Sequence, residues 1–318
     1  MRDGTGYWRL TRIVLLLSVC SFFAQGQNAA LFTSVKGIVN VKKSSGQILR
    51  ASPKDGLAPG DEVSTLNGAS AALMYYTGKE VSLPANKTYV VAKEEKEDSF
   101  LNRLASVFSN LLWSKEKAKS VLGASRGFKP TLNRSVTGIY PSFTVERGPV
   151  LLFEWSDNQP KSGVNYIVTL RNEKGDIEKS VTVSDANRVL VPIARMNLIA
   201  GSKYRWQVRD QKATVASRDV EFTLLSDVDK EKLDQYRERL KDVCQNDSTG
   251  FRYTLLEAML CLDSNLLMQA ESSLSNLVQL KPEFVVGHEM LVDVYRKVGK
   301  VEEAHAQQKV LQTLLEAK

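Results

Sequence analysis

The sequence predicts a multidomain protein: an all-β unit, then a β-sandwich, then α-helical hairpins. Three observations predict it. Short alternating apolar runs separated by Gly, Pro, Asn and Asp fill residues 31–93 and return between 141 and 225. The last ninety or so residues change to a helical rhythm with few Gly or Pro. That helical stretch also repeats with a period of 34, Phe251–Phe284 against Val285–Lys318. A chain of 318 residues exceeds one ordinary core, and 43% hydrophobic with 25% charged residues is a globular composition.

The boundaries read as 1–26 leader, 27–95 β domain, 96–140 amphipathic helix and linker, 141–226 sandwich and 227–318 helical domain. In the leader, a basic stretch "MRDGTGYWRLTR" precedes "IVLLLSVCSFFA", an apolar run of 12. A spanning helix needs about 20 such residues, so a cleaved signal peptide is expected, with no transmembrane span in the mature chain. Ala24-Gln25-Gly26 places small residues at the two positions a signal peptidase reads. The rival is a lipoprotein site at Cys20, where Val19 stands in place of the usual small residue. Three arginines against one aspartate leave with the leader, so the net charge of +7 falls to +5. That balance is spread out. It suits anionic envelope polymers and gives no concentrated stripe for nucleic acid.

In the first β domain, "GIVNVKK" alternates, "LAPGDEVST" turns, and "SAALMYY" alternates again before "TGKEVSLP" and "KTYVVA". The glycines Gly60 and Gly78 supply left-handed turns, while Asp61 and Asn86 cap nearby amides. This frame resembles the FecR-type periplasmic β domain at Gly37, Gly60, Asp61, Val63, Thr65, Gly78, Val81, Leu83 and Asn86. It departs from that family at Thr77, where an acidic residue is usual. The resemblance implies fold, and it divides on role between sigma regulation and other envelope tasks.

Phe100, Leu101, Leu104, Val107, Phe108, Leu111 and Leu112 recur at helical spacing in the next segment. The polar face holds Ser and Asn more than Lys, so packing on the protein itself is expected over a membrane surface. A Gly-, Ser- and Pro-bearing linker follows. "VLLFEWS", "NYIVTLRNEKGD", "EKSVTVS", "RVLVPI", "SKYRWQVRD" and "DVEFTLL" are then spaced as sandwich strands. They resemble fibronectin type III and other immunoglobulin-like folds. Leu198, Gly201, Tyr204, Trp206 and Val208 would form the tyrosine-corner strand, with Trp155 as the facing core aromatic.

The 34-residue blocks 251–284 and 285–318 are similar to tetratricopeptide repeats. They share Ala270 and Ala304, with Tyr295 and Gly299 in block two and Pro282 closing block one. Block one departs with Cys261 at the tyrosine position and Asn265 at the glycine position. The helix "DKEKLDQYRERLKDV", or the one at 100–112, would cap the pair. The resemblance implies that the first helix of each block faces a peptide or partner helix. It offers Arg252 and Met259 from block one, and Glu289, Asp293, Arg296 and Lys297 from block two, as partner-binding candidates.

No catalytic, cofactor or metal constellation is expected. His288 and His305 lie in the repeat helices outside any ligand spacing, and there is no nucleophile elbow or phosphate loop. Cys244 and Cys261 either bridge in an oxidising compartment or remain two buried thiols. The reading is therefore a non-enzymatic adaptor, exported to the periplasm or outer membrane of a Gram-negative-type cell. Its partners would be an envelope protein or peptide, with cell-wall or outer-membrane glycan at the β domains. The alternatives are a FecR-type signalling component and a carbohydrate-binding accessory protein, the latter requiring exposed aromatics such as Tyr75, Tyr76 and Tyr166.

Overall fold

A computed structural model describes residues 28–93, 100–101, 103–104, 106–107 and 134–316. The leader, Cys20, Phe108, Leu111, Leu112 and most of the expected linker lie outside the described residues. Two compact units emerge. Among the described residues, 28–75 and 81–93 make the first, while Tyr76–Glu80 and those from residue 100 onward belong to the second.

The first unit is all-β. Its strands are β1 (Ala30–Lys36), β2 (Val39–Lys42), β3 (Ile48–Arg50), β4 (Gly56–Leu57), β5 (Glu62–Thr65), β6 (Ser70–Tyr75), β7 (Glu80–Leu83) and β8 (Thr88–Val90). They form two four-stranded sheets, β4-β1-β6-β7 and β3-β2-β5-β8. Alternation puts Phe32, Val39, Val41, Leu57, Val63, Leu73 and Tyr75 into one core. Gly60 takes φ +88° and Gly78 +78°, and Asn86 itself adopts a left-handed 59°. Asp61, 1% exposed, accepts from Ala58 N at 2.9 Å and from Lys43 Nζ at 2.7 Å, so its buried carboxylate is neutralised as well as capping the turn.

The second unit holds a β-sandwich and five C-terminal helices. The sandwich strands are β9 (Val136–Tyr140), β10 (Phe143–Val145), β11 (Val150–Asp157), β12 (Asn165–Asn172), β13 (Ile177–Ser184), β14 (Arg188–Pro192), β15 (Lys203–Asp210) and β16 (Val220–Leu224). One sheet runs β14-β11-β9 and the other β10-β16-β15-β12-β13. The expected start at 141 is therefore late by one strand, since β9 begins at Val136 in what reads as linker. Gly138 misleads the eye as a turn residue. It sits mid-strand because a Cβ there would lie 2.6 Å from Val220 Cγ2 and 3.0 Å from the Trp206 ring.

Trp155 and Trp206 are fully buried between the sheets, with Phe153 packed edge-on to Trp206 at 5.3 Å. Tyr204 closes the corner: its hydroxyl accepts from Ile199 N at 2.7 Å, while Gly201 turns the chain at φ +79°. At one end of the sandwich, Arg134 donates twice to Asp157 (2.9 and 2.6 Å) and once to Asp210 (3.1 Å).

The helices are α1 (Asp227–Val243), α2 (Phe251–Asp263), α3 (Leu267–Leu280), α4 (Val285–Val298) and α5 (Val301–Glu316). Ser226 caps α1 by accepting from Asp229 N. Two helical hairpins follow, α2–α3 and α4–α5, and their first residues, 251 and 285, stand 34 apart. Asn265 and Gly299 play one part in both hairpins, each turning left-handed just after its first helix (φ 55° and 87°). Asparagine is the residue that replaces glycine there most readily. Ala270 and Ala304, at the same position of the two blocks, are both buried. The two segments offered as alternative caps touch each other: Phe100 stacks on Tyr236 of α1 at 4.3 Å, and Leu104 is fully buried. Packing on the protein itself thus accounts for the described part of that apolar stripe.

Candidate functional site

The sandwich and the hairpins are joined by buried charge. Lys300, in the turn between α4 and α5, places Nζ 2.9 Å from Glu271 of α3 and 3.2 Å from Glu154 of β11. It also lies 5.0 Å from the ring of Tyr140, whose hydroxyl donates to Glu271 at 2.7 Å. Burial pulls the Lys300 ammonium down, but the hydrogen bond and charge of Glu271, with Glu154 beside it, hold it above the ordinary lysine value. Burial, then the charge of Glu271, pushes the Tyr140 phenol up. A second tie sits at α1. Arg237 donates from both terminal nitrogens to Glu146 at 2.9 Å each and from Nε to Glu257 of α2 at 3.1 Å. These bonds fix the hairpins against the sandwich as one body.

The six partner-binding candidates divide sharply. Met259 is fully buried, because α2 lies inside the helical layer and exposes none of its face there. Arg252 is half-buried and engaged: Nε donates to Thr77 O at 3.0 Å and Nη1 to Val243 O at 3.1 Å. Block one therefore offers no open groove through these two residues. The block-two four do share one face of α4, at spacings of four, three and one. Glu289 and Asp293 are half-buried, while Arg296 and Lys297 are exposed at the helix's C-terminal end. Arg296 Nη2 reaches Gln308 at 3.2 Å.

Lys297 leads into a feature that sequence alone did not reveal. A cleft of about 490 Å3 runs between the end of α4 and the sandwich, lined by Lys297, Val298, Ser142, Phe143, Lys203 and Asp219 among others. Phe143 is 43% exposed, and Ser142 Oγ is buried with no partner among the described residues. The cleft thus combines an open aromatic, an unsatisfied hydroxyl and two ammonium groups.

Other expectations resolve simply. Cys244 and Cys261 are free, buried thiols, which corrects the disulfide alternative. Burial, followed by the nearby Glu257 charge, pushes Cys261 up to about 12. His288 packs inside the second hairpin with Nε2 2.7 Å from Pro282 O and Nδ1 against Gln307, while His305 is exposed. Tyr75, Tyr76 and Tyr166 are all buried, so none supplies an exposed aromatic platform. Among the described residues, no His, Cys, Asp and Glu side chains gather as a metal-binding group, and no helix is long and apolar enough to cross a membrane.

No family model matches the chain. No curated protein matches it either. Among solved structures, a "cell surface anchoring domain" is 22% identical, covering 22% of this chain and 91% of its own, with a TM-score of 0.21. Dimeric latent PorU from Porphyromonas gingivalis is 10% identical over 59% of this chain and 16% of its own, with a TM-score of 0.25. Fibronectin(III)-like modules of Clostridium thermocellum CbhA are 8% identical over 64% of this chain and 81% of theirs, with a TM-score of 0.21. At such low scores these likenesses carry no argument, and the fold rests on the strand order, core and hydrogen bonds described above.

Proposed function

We propose that the protein is a non-enzymatic adaptor of the cell envelope, exported by its leader, in which a FecR-like β domain and a fibronectin type III-like sandwich carry tetratricopeptide-type hairpins that dock a protein partner. The carrying observation is the charged face of α4 running from Glu289 and Asp293 to Arg296 and Lys297, where it opens into the cleft against the sandwich. A partner segment laid along α4 would meet two acidic groups, then two basic ones, and then an aromatic-lined recess, on a base held by Lys300 and Arg237. Preorganised surfaces of this kind lose little conformational entropy on binding.

The test is crosslinking with mass spectrometry in cells, comparing the full-length protein with its Arg296→Glu/Lys297→Glu variant. A defined protein partner that disappears from the variant, with thermal stability unchanged, supports docking at α4. A partner set that survives the charge reversal rejects it.

A further inference from the structure

We infer that the outer face of the five-stranded sheet binds a linear anionic polysaccharide. This deepens the envelope-contact half of the proposed adaptor role; Lys203 and Thr223, at one end of the face, also line the cleft at α4, so the test that separates the two readings leaves them unchanged. Along β15 the core takes Tyr204, Trp206 and Val208, which leaves Lys203, Arg205, Gln207 and Arg209 on the opposite face. On the neighbouring β12 the core takes Val168 and Leu170, leaving Ile167, Thr169 and Arg171 outward. The register then sets Arg171 directly opposite Arg205 and Arg209 opposite Ile167. From β16 the same face receives Glu221 and Thr223. On β12, β15 and β16 four cations thus stand with one carboxylate, Glu221, which is paired to Arg205 at 2.7 Å, while the edge strand β13 adds Glu178 at its bulge, accepting from Asn172 Nδ2 at 2.9 Å.

Like charges directly opposite on one sheet face are unfavourable. Arg171 and Arg205 hold that arrangement without being needed for the core. An anionic ligand would reverse its sign. The geometry also selects the kind of ligand. β15 is hydrogen-bonded on both edges, to β12 and to β16, so no peptide strand can add to it and only side chains can read a partner. The surface is flat, with cations at about 7 Å steps broken by Gln207, and Lys203 to Arg209 spans about 20 Å. Thr169, Gln207 and Thr223 lie between the charges and offer hydroxyl and amide groups suited to sugar hydroxyls, while guanidinium forks suit carboxylates or sulfates. An extended sugar polymer bearing such groups fits this row better than a bilayer, which would call for an apolar wedge, or an acidic peptide, which would call for side-chain pockets.

The experiment measures binding of full-length protein to an oligogalacturonate and to a heparin-derived oligosaccharide at about 20 mM salt, where exposed charges are weakly screened. The sheet variant is Arg171→Gln/Arg205→Gln/Arg209→Gln, which leaves the cleft residue Lys203 in place. A control of equal charge, Lys36→Gln/Arg50→Gln/Lys309→Gln, changes exposed cations elsewhere. We expect binding that weakens with salt, falls about tenfold or more in the sheet variant, and stays within about threefold of wild type in the control. No binding to either polymer overturns the inference, as does an equal loss in the control, which would reduce it to net charge. Tighter binding to phosphatidylglycerol vesicles or to poly-glutamate also overturns it. Arg171→Thr is expected to leave the melting temperature unchanged or raised, and a clear fall would make the arginine pair structural and remove the premise. Intact α4-dependent crosslinks in the sheet variant would leave the docking reading standing whatever the polymer result.

Discussion

Lys300 Nζ lies 3.2 Å from Glu154 Oε2, an ion pair in which a helical turn reaches onto the outer side of a sandwich strand. Both partners are largely shielded from water, with side chains 9% and 20% exposed. Removing one member of such a buried pair leaves the other charge uncompensated, whereas an exposed pair can be lost at little cost.

Lys300→Met is therefore expected to lower unfolding free energy by about 3 kcal/mol, because Glu154 and Glu271 remain together without their cation. Lys297→Met, one turn earlier and exposed, is expected to change it by less than about 0.5 kcal/mol. Denaturant titration of both variants checks the contrast, and equal effects would show that the network is not what joins the two layers.

The Arg134 cluster predicts an acid limb. For Asp157, burial raises the carboxyl but the Arg134 and Tyr166 hydrogen bonds outweigh it; for Asp210, Thr214 bonds outweigh burial, so both stand below the usual carboxylate range. A folded-state pKa below the unfolded one stabilises above about pH 4 and is lost as pH falls through the depressed values. The melting temperature should thus drop steeply below about pH 4. Arg134→Gln should start lower at neutral pH and lose stability at a higher pH, because the buried carboxyls would then protonate more readily.

Cys244 and Cys261 should both titrate as free thiols after denaturation without reductant. In the native protein Cys261 should resist alkylation at pH 8, since the thiolate is the reactive form and its pKa stands at about 12. Quantified iodoacetamide labelling measures this, and a disulfide-linked peptide would contradict it.

Gly287 records how closely the second hairpin approaches the first. A Cβ there would lie 2.9 Å from Phe284 Cδ1 and 3.2 Å from Val278 Cγ1 of α3. Alanine would ordinarily stabilise a helix interior by about 1 kcal/mol over glycine. Here the crowding should cancel that gain, and Gly287→Leu should cost about 1–3 kcal/mol. A melting temperature raised by the leucine would mean that the helices separate more easily than their packing implies.

Local chemistry made much of this legible. Strand alternation located "YRWQV" and "LLFEW", because period-two burial is written into neighbouring residues. The 34-residue offset located both hairpins, and Asn265 shows that even its departure from glycine preserves the backbone requirement. Gly138 was opaque, since its reason is a tryptophan 68 positions away. Met259 and Arg252 were equally opaque: helical periodicity says which residues share a face, while the neighbours covering that face come from distant segments.

The sequence by itself determined most of the elements, their order and their repeat, because propensity, alternation and turn chemistry act over a few residues. Only the tertiary structure decided which face of each helix stayed open, where four cations met on one sheet, and that Lys300 would find two carboxylates. Those outcomes depend on register and packing between remote segments, where burial and Coulomb energies are set by neighbours that no local pattern names.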